Sequence, residues 1–98
     1  MAKQEIDIRK IEDIAQRLRA IAHPVRIKII SMLDKQQEMN VTTIYNKLEI
    51  EQAAASHHLN ILKSKGILQS RRDGKNTYYS LKPNSISNLL DCINTCAK

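Results

Sequence analysis

A mainly α-helical domain carrying one β-hairpin is the fold class the sequence predicts, on three observations. Apolar residues recur at spacings of three and four through the stretches before Gly66. That period then gives way to two short segments, "ILQSRR" and "NTYYSL", rich in β-branched and aromatic residues and joined through Asp73-Gly74, a strong hairpin signal. After Pro83 the helical period returns.

The elements follow in order. Residues 4–21 read as a helix, with Ile8, Ile11, Ala15 and Leu18 in one stripe flanked by Ile14 and Ile21, more apolar than a surface helix needs. In "AHPVRIKIISML", Pro24 stands where a helix tolerates proline in its first turn, and Ile27, Ile30 and Leu33 are the expected buried stripe, ending near Lys35. The polar stretch "DKQQEMN" leads to Val41, and Ile44 and Leu48 mark a short third helix. A fourth helix is expected from Gln52 to Lys65, ended by Gly66 in the left-handed conformation. At about 100° per residue, Ala55, Leu59 and Leu62 share one stripe, and Ala53, His57, Asn60 and Ser64 lie opposite. His58 points toward the edge of the core. Pro83 opens a last helix whose apolar face is Ile86, Leu89, Leu90, Ile93 and Ala97.

A chain of 98 residues is expected to form one domain, 1–98, too small for a core plus a sizeable substrate cleft. No nucleophile-base set, phosphate loop or complete metal motif appears, so the chain is not expected to be an enzyme. With no Phe and no Trp, Ile and Leu must build the core. No apolar run reaches the length of a membrane span, and the start "MAKQEIDIRK" is charged, so a soluble, cytoplasmic protein is expected. The two cysteines, Cys92 and Cys96, do not make a disulfide framework.

The net charge of +6 is unevenly placed. Residues 1–51 hold nine Lys/Arg against eight Asp/Glu, residues 52–82 six against one, and residues 83–98 one against one. Five of the six excess charges therefore lie in the fourth helix and hairpin, which favours a surface for a polyanion over an ordinary solvated face. Adjacent His57 and His58 cannot both address one ligand from a helix, so they are not a metal pair of the i, i+4 kind.

Three helices, a hairpin after the third of them and apolar helices at both ends describe a winged helix-turn-helix, with the third and fourth helices of the chain as the helix-turn-helix pair. Ala53 and Ala54 let the fourth helix approach a groove floor closely, and Gln52, Ser56, His57 and Asn60 can reach base edges. Lys63, further along that helix, and Arg71, Arg72 and Lys75 on the hairpin complete the DNA-contact candidates. Taken singly each feature has a plainer account: alanines form helices well, His58 suits a core edge, and Tyr78 and Tyr79 suit hairpin packing. Their joint fall within residues 52–82 carries the weight.

Residues 18–90 resemble the ArsR/SmtB family of winged-helix repressors. The resemblance rests on "LRAIAHPVRIKIISML", on "SHHLNILKSKGIL", similar to the family's recognition helix, and on "RRDGKNTYYSL", similar to its wing. It implies a homodimer built on the first and last helices, DNA recognition by the fourth helix and wing, and DNA release by an effector. Two departures stand out. Asn40 and Thr42 occupy the places of the Cys-x-Cys thiols at the third helix, and residues 83–98 hold no His and only Asp91, so both usual metal sites of the family are missing. Glu51 stands where a hydroxyl residue often precedes the recognition helix, a poorer cap that still suits the helix dipole.

Cys92 and Cys96 are read first as small hydrophobes packed at the dimer seam, with a thiol switch or a soft-metal site shared between subunits as the alternative. No cofactor is expected. The expected partners are double-stranded DNA and a second copy of the chain, through Ile8, Ile11, Leu18, Leu89 and Ile93. No membrane is among them, and a small-molecule or redox effector is left open. The competing function is a winged-helix protein-interaction module that does not read DNA, against which the segmental charge argues.

Overall fold

The structure, a computed structural model, describes residues 7–86. The expected last helix, with Leu89, Leu90, Ile93 and Ala97, and both cysteines, Cys92 and Cys96, lie outside the described residues.

Asp7 sits in extended backbone and its carboxylate accepts from the Arg9 N–H at 2.9 Å, so Asp7 is the cap of α1 (Ile8–Ile21) and not a residue inside the expected helix; residues 4–6 of that expectation lie outside the described residues. His23 caps α2 (Pro24–Gln36) by accepting from the Val25 N–H at its Nδ1, and Pro24 takes the first helical position, where its missing N–H costs nothing. The expected stripe of α2 needs correction. Ile29 and Leu33 are buried and Ile30 is half-buried, but Ile27 is 52% exposed. An all-round apolar helix such as "VRIKIISML" leaves the choice of inner face to its neighbours, which the sequence period does not fix.

The polar stretch after α2 also differs from expectation. Gln37, at φ 70°, ends the helix, and Glu38–Asn40 form a strand, β1. Only Met39 of the three faces the core, too short a pattern to signal a strand. Asn40 then caps α3 (Val41–Leu48), its side-chain oxygen accepting from the Thr42 N–H at 2.7 Å. Glu49, left-handed at φ 55°, turns the chain toward α4 (Gln52–Ser64). Gly66, at φ 75°, releases the chain from α4 into β2 (Leu68–Asp73), and Gly74, at φ 64°, turns it into β3 (Asn76–Leu81). The sheet order is β1-β3-β2, antiparallel throughout, with Met39 opposite Tyr79 and Ser70 opposite Tyr79 on its other side.

The core is the aliphatic layer the composition demands. Ile29, Leu33, Ile44, Leu59, Leu62, Ile67 and Leu68 are fully enclosed, joined by Ala20, Met39, Ala55 and Tyr79. Each large side chain contributes roughly 2 kcal/mol, more than an exposed ion pair supplies. This layer therefore holds α4 in place from behind, and polar groups on its front are free for other uses. The outcome is a winged helix-turn-helix.

Candidate nucleic-acid interface

The outer face of α4 is set by its inner one. With Ala55, Leu59 and Leu62 buried, Gln52, Ala53, His57 and Asn60 emerge on the exposed side and Ser56 stands half-buried beside them. The turn before α4 is short: Glu49 and Ile50 donate to the carbonyls of Asn46 and Tyr45, and Glu51 is the cap residue. Glu51 makes no side-chain cap hydrogen bond, as expected of a residue too long for that role. Among the described residues, Gln52, Ser56, His57 and Asn60 make no side-chain hydrogen bond, so their donors and acceptors all point to solvent or a partner. Lys63 donates to the Ser70 hydroxyl at 2.8 Å, tying the far end of α4 to β2 while keeping its charge.

Residues of a strand alternate between the two faces of its sheet, and this alternation separates the two arginines of the wing. Ser70 and Arg72 share the side that meets α4, where Leu68 and Tyr79 enter the core. Arg71 lies on the opposite side, directly across from Tyr78. There its Nε and Nη2 donate to the two Glu38 carboxylate oxygens, each at 2.8 Å, and Asp73 lies 3.8 Å from its Nη1. Its guanidinium also sits 4.6 Å above the Tyr78 ring centre. The hydrogen bonds from Arg71 hold the Glu38 carboxyl below the usual carboxylate range, and the Glu38 bonds in turn push the Arg71 guanidinium upward. Arg72 and Lys75 are exposed and have no hydrogen-bond or ion-pair partner among the described residues.

α4 thus presents Gln52, Ala53, Ser56, His57, Asn60 and Lys63 away from the core, Arg72 stands on the sheet face shared with Ser70, the partner of Lys63, Lys75 lies at the wing tip, and Arg71 is on the opposite sheet face. Two features were missed by sequence reading. Glu38, the partner of Arg71, belongs to a strand the pattern did not reveal. Arg26 of α2 donates to His58 of α4 at 3.1 Å, and nothing in the spacing of "HPVR" and "SHHL" announces that link. Asn40, in the place of a family thiol, is spent on capping α3 and on donating to the Asn76 side chain at 2.9 Å. Among the described residues no group of three or more His, Cys, Asp or Glu gathers as a metal site. None of the described helices is long and apolar enough to cross a membrane.

Residues 23–70, from the cap of α2 to the start of the wing, match the family of bacterial regulatory proteins described as arsR. Over 90 residues the chain is 34% identical to a cadmium resistance transcriptional regulatory protein CadC homolog of Staphylococcus aureus, covering 92% of this chain and 74% of that one. The chain belongs to the ArsR family.

Other ArsR-type proteins agree. The transcriptional repressor PagR of Bacillus anthracis is 33% identical over 90 residues, covering 92% of this chain and 90% of PagR, and its crystal structure superposes with a TM-score of 0.72. A homodimeric winged helix-turn-helix DNA-binding domain from Mycobacterium bovis, solved by NMR, gives a TM-score of 0.77 at 28% identity, over 99% of this chain and 90% of that one. Family membership makes this ArsR-family chain a DNA-binding transcriptional regulator.

Proposed function

We propose that residues 1–98 act as one winged helix-turn-helix domain, a homodimeric repressor working in the cytoplasm without catalysis. In this reading α4 enters the major groove of double-stranded DNA. Gln52, Ser56, His57 and Asn60 meet base edges, Ala53 allows the close approach, and Lys63, Arg72 and Lys75 meet phosphates. Arg71, already paired with Glu38, shapes the wing more than it neutralises DNA. The observation that carries the reading is the unpartnered polar face of α4 running into the α4-facing side of the wing. The strand residues on that side are Leu68, Ser70, Arg72, Thr77, Tyr79 and Leu81, with no carboxylate among them.

Pairing with a second copy is supported by large apolar side chains left exposed on α1 and α2. Ile8 is 64% exposed and Leu18 42% exposed on α1, with Ile11 half-buried beside them and Ile27 exposed on α2. Leu89 and Ile93 belong to the same proposed interface from outside the described residues. The Mycobacterium bovis neighbour is itself homodimeric, which supports pairing of this chain.

The test is selection of bound duplexes from a random pool, followed by affinity measurements on the winner. His57→Ala and Gln52→Ala should each lower discrimination against random duplex by about 1 to 3 kcal/mol. Sedimentation should give a dimer at micromolar concentration. Selection that yields no preferred sequence would overturn base reading by α4, and a monomer would overturn the proposed pairing.

A further inference from the structure

Three helices meet at one side chain. Arg26, in the first turn of α2, donates from Nη1 to the Ala20 carbonyl at the end of α1, 3.3 Å away, and from Nε to Nδ1 of His58 in the middle of α4, 3.1 Å away. A guanidinium only donates, so His58 must accept, and its imidazole must be neutral with the proton on Nε2. The groups around that ring are basic. His23, the cap of α2, has its ring centre 4.7 Å away, and His57, the preceding residue of α4, lies 5.7 Å away. Arg19 of α1 and Lys65 of α4 line the adjoining groove with Arg26, Gln16 and Ala20. No carboxylate is among these groups. Burial, followed by His23, Arg26 and His57, holds the His58 pKa below the ordinary 6.5.

Lys63 and Lys65 tie the far end of α4 to Ser70 and Gln16 through long, exposed side chains, and the rest of its seat is apolar. Ala55, Leu59 and Leu62 pack against the core by contact alone, which tolerates small rotations of the helix about its axis. A hydrogen bond to a guanidinium is directional, and it acts one residue from His57.

We propose that Arg26 and neutral His58 form a positioning pair that fixes the rotation of α4, and hence where His57 and its neighbours point when the protein reads DNA. The pair touches no DNA itself, and the inference rests on α4 being the reading element. Protonating His58 removes the acceptor and places a cation among cations, so the pair opens in acid. The folded pKa lies below that of the unfolded chain, so the unfolded state takes up protons first. Stability is therefore intact above pH 6.5 and falls as the pH drops from there through the folded value.

The experiment compares wild type with His58→Gln, whose amide oxygen can accept from Arg26 but does not titrate, and with His58→Leu, which cannot accept. The probes are the duplex selected by wild type at pH 7.5 and a random duplex of equal length. Wild type should lose about tenfold in the ratio of the two affinities as the pH falls from about 7.5 through the His58 titration, the scale of one lost charged hydrogen bond. His58→Gln should lose clearly less of the ratio than wild type over the same change, and His58→Leu should show the lowered ratio already at about pH 7.5. His23 and His57 are present in all three proteins, so the comparison is made between proteins at each pH. In the DNA-free proteins, backbone amide shifts of residues 53–60 should show in wild type a His58 titration that is missing in His58→Gln. A Gln variant as acid-sensitive as wild type, or a Leu variant that discriminates fully, would overturn the pair. If wild type shows no sequence preference at any pH, the reading of DNA by α4 fails instead, and the amide titration alone decides whether the pair positions the helix.

Discussion

The wing has two faces, and they differ more than the sequence "SRRD" suggests. On the face toward α4, Leu68, Met39 and Tyr79 are buried at the base, Ser70 holds Lys63, and Arg72 stands unpartnered near the tip. On the other face the polar groups are matched to one another: Arg71 with Glu38 and Tyr78, Asn40 with Asn76, and Gln69 with Ser80. One face combines core with an open charge, and the other is a closed network at the surface. Two adjacent arginines, equivalent in any count of charge, thus receive different tasks from a period of two.

The largest expected contrast lies between the tyrosines. Tyr79→Ala removes a buried ring from the α4 side and should cost about 3 kcal/mol, read as a shift of the denaturation midpoint. Tyr78→Ala on the outer face should cost at most about 1 kcal/mol, the scale of an exposed cross-strand pair. Equal losses would mean that the outer network carries the wing. Next comes the salt dependence of DNA binding. Arg72→Ala should reduce the slope of log affinity against log salt by about one unit, and Arg71→Ala by clearly less because Glu38 already offsets that charge. A larger drop for Arg71 would reverse the assignment of the two faces. The smallest effect is expected from Glu38→Gln, which frees the Arg71 charge. Affinity for random duplex should rise a few-fold and steepen with falling salt, and no change would mean that Arg71 cannot reach a phosphate even when released.

How much of this was legible follows from what each pattern encodes. The fourth helix could be read residue by residue because its apolar stripe is narrow: Ala55, Leu59 and Leu62 went in, and His57 and Asn60 came out. The hairpin was legible from Asp73-Gly74 and from the end of the helical period. The inner face of α2 was not, because isoleucines at 27, 29 and 30 satisfy more than one face and only packing chooses. β1 escaped for lack of length, and with it Glu38, whose role exists only once β1 lies beside β3. Likewise the Arg26–His58 bond joins residues far apart in sequence and has no periodic signature. Local order was legible, and long-range partnership was not.

β1 also governs the order of events in folding. Its residues pair with Tyr78, Tyr79 and Ser80, about 40 positions onward, so the whole helix-turn-helix lies inside one closed loop. Closing that loop costs entropy that no contact returns until β3 exists, which places sheet formation late and couples it to the helices within it. On a ribosome, the three residues of β1 emerge long before their partner strand. A nascent chain ending at Gly66 therefore has its α4 sequence complete but Met39 without Tyr79 and Asn40 without Asn76, and should stay too loosely held to search the genome before the wing is made.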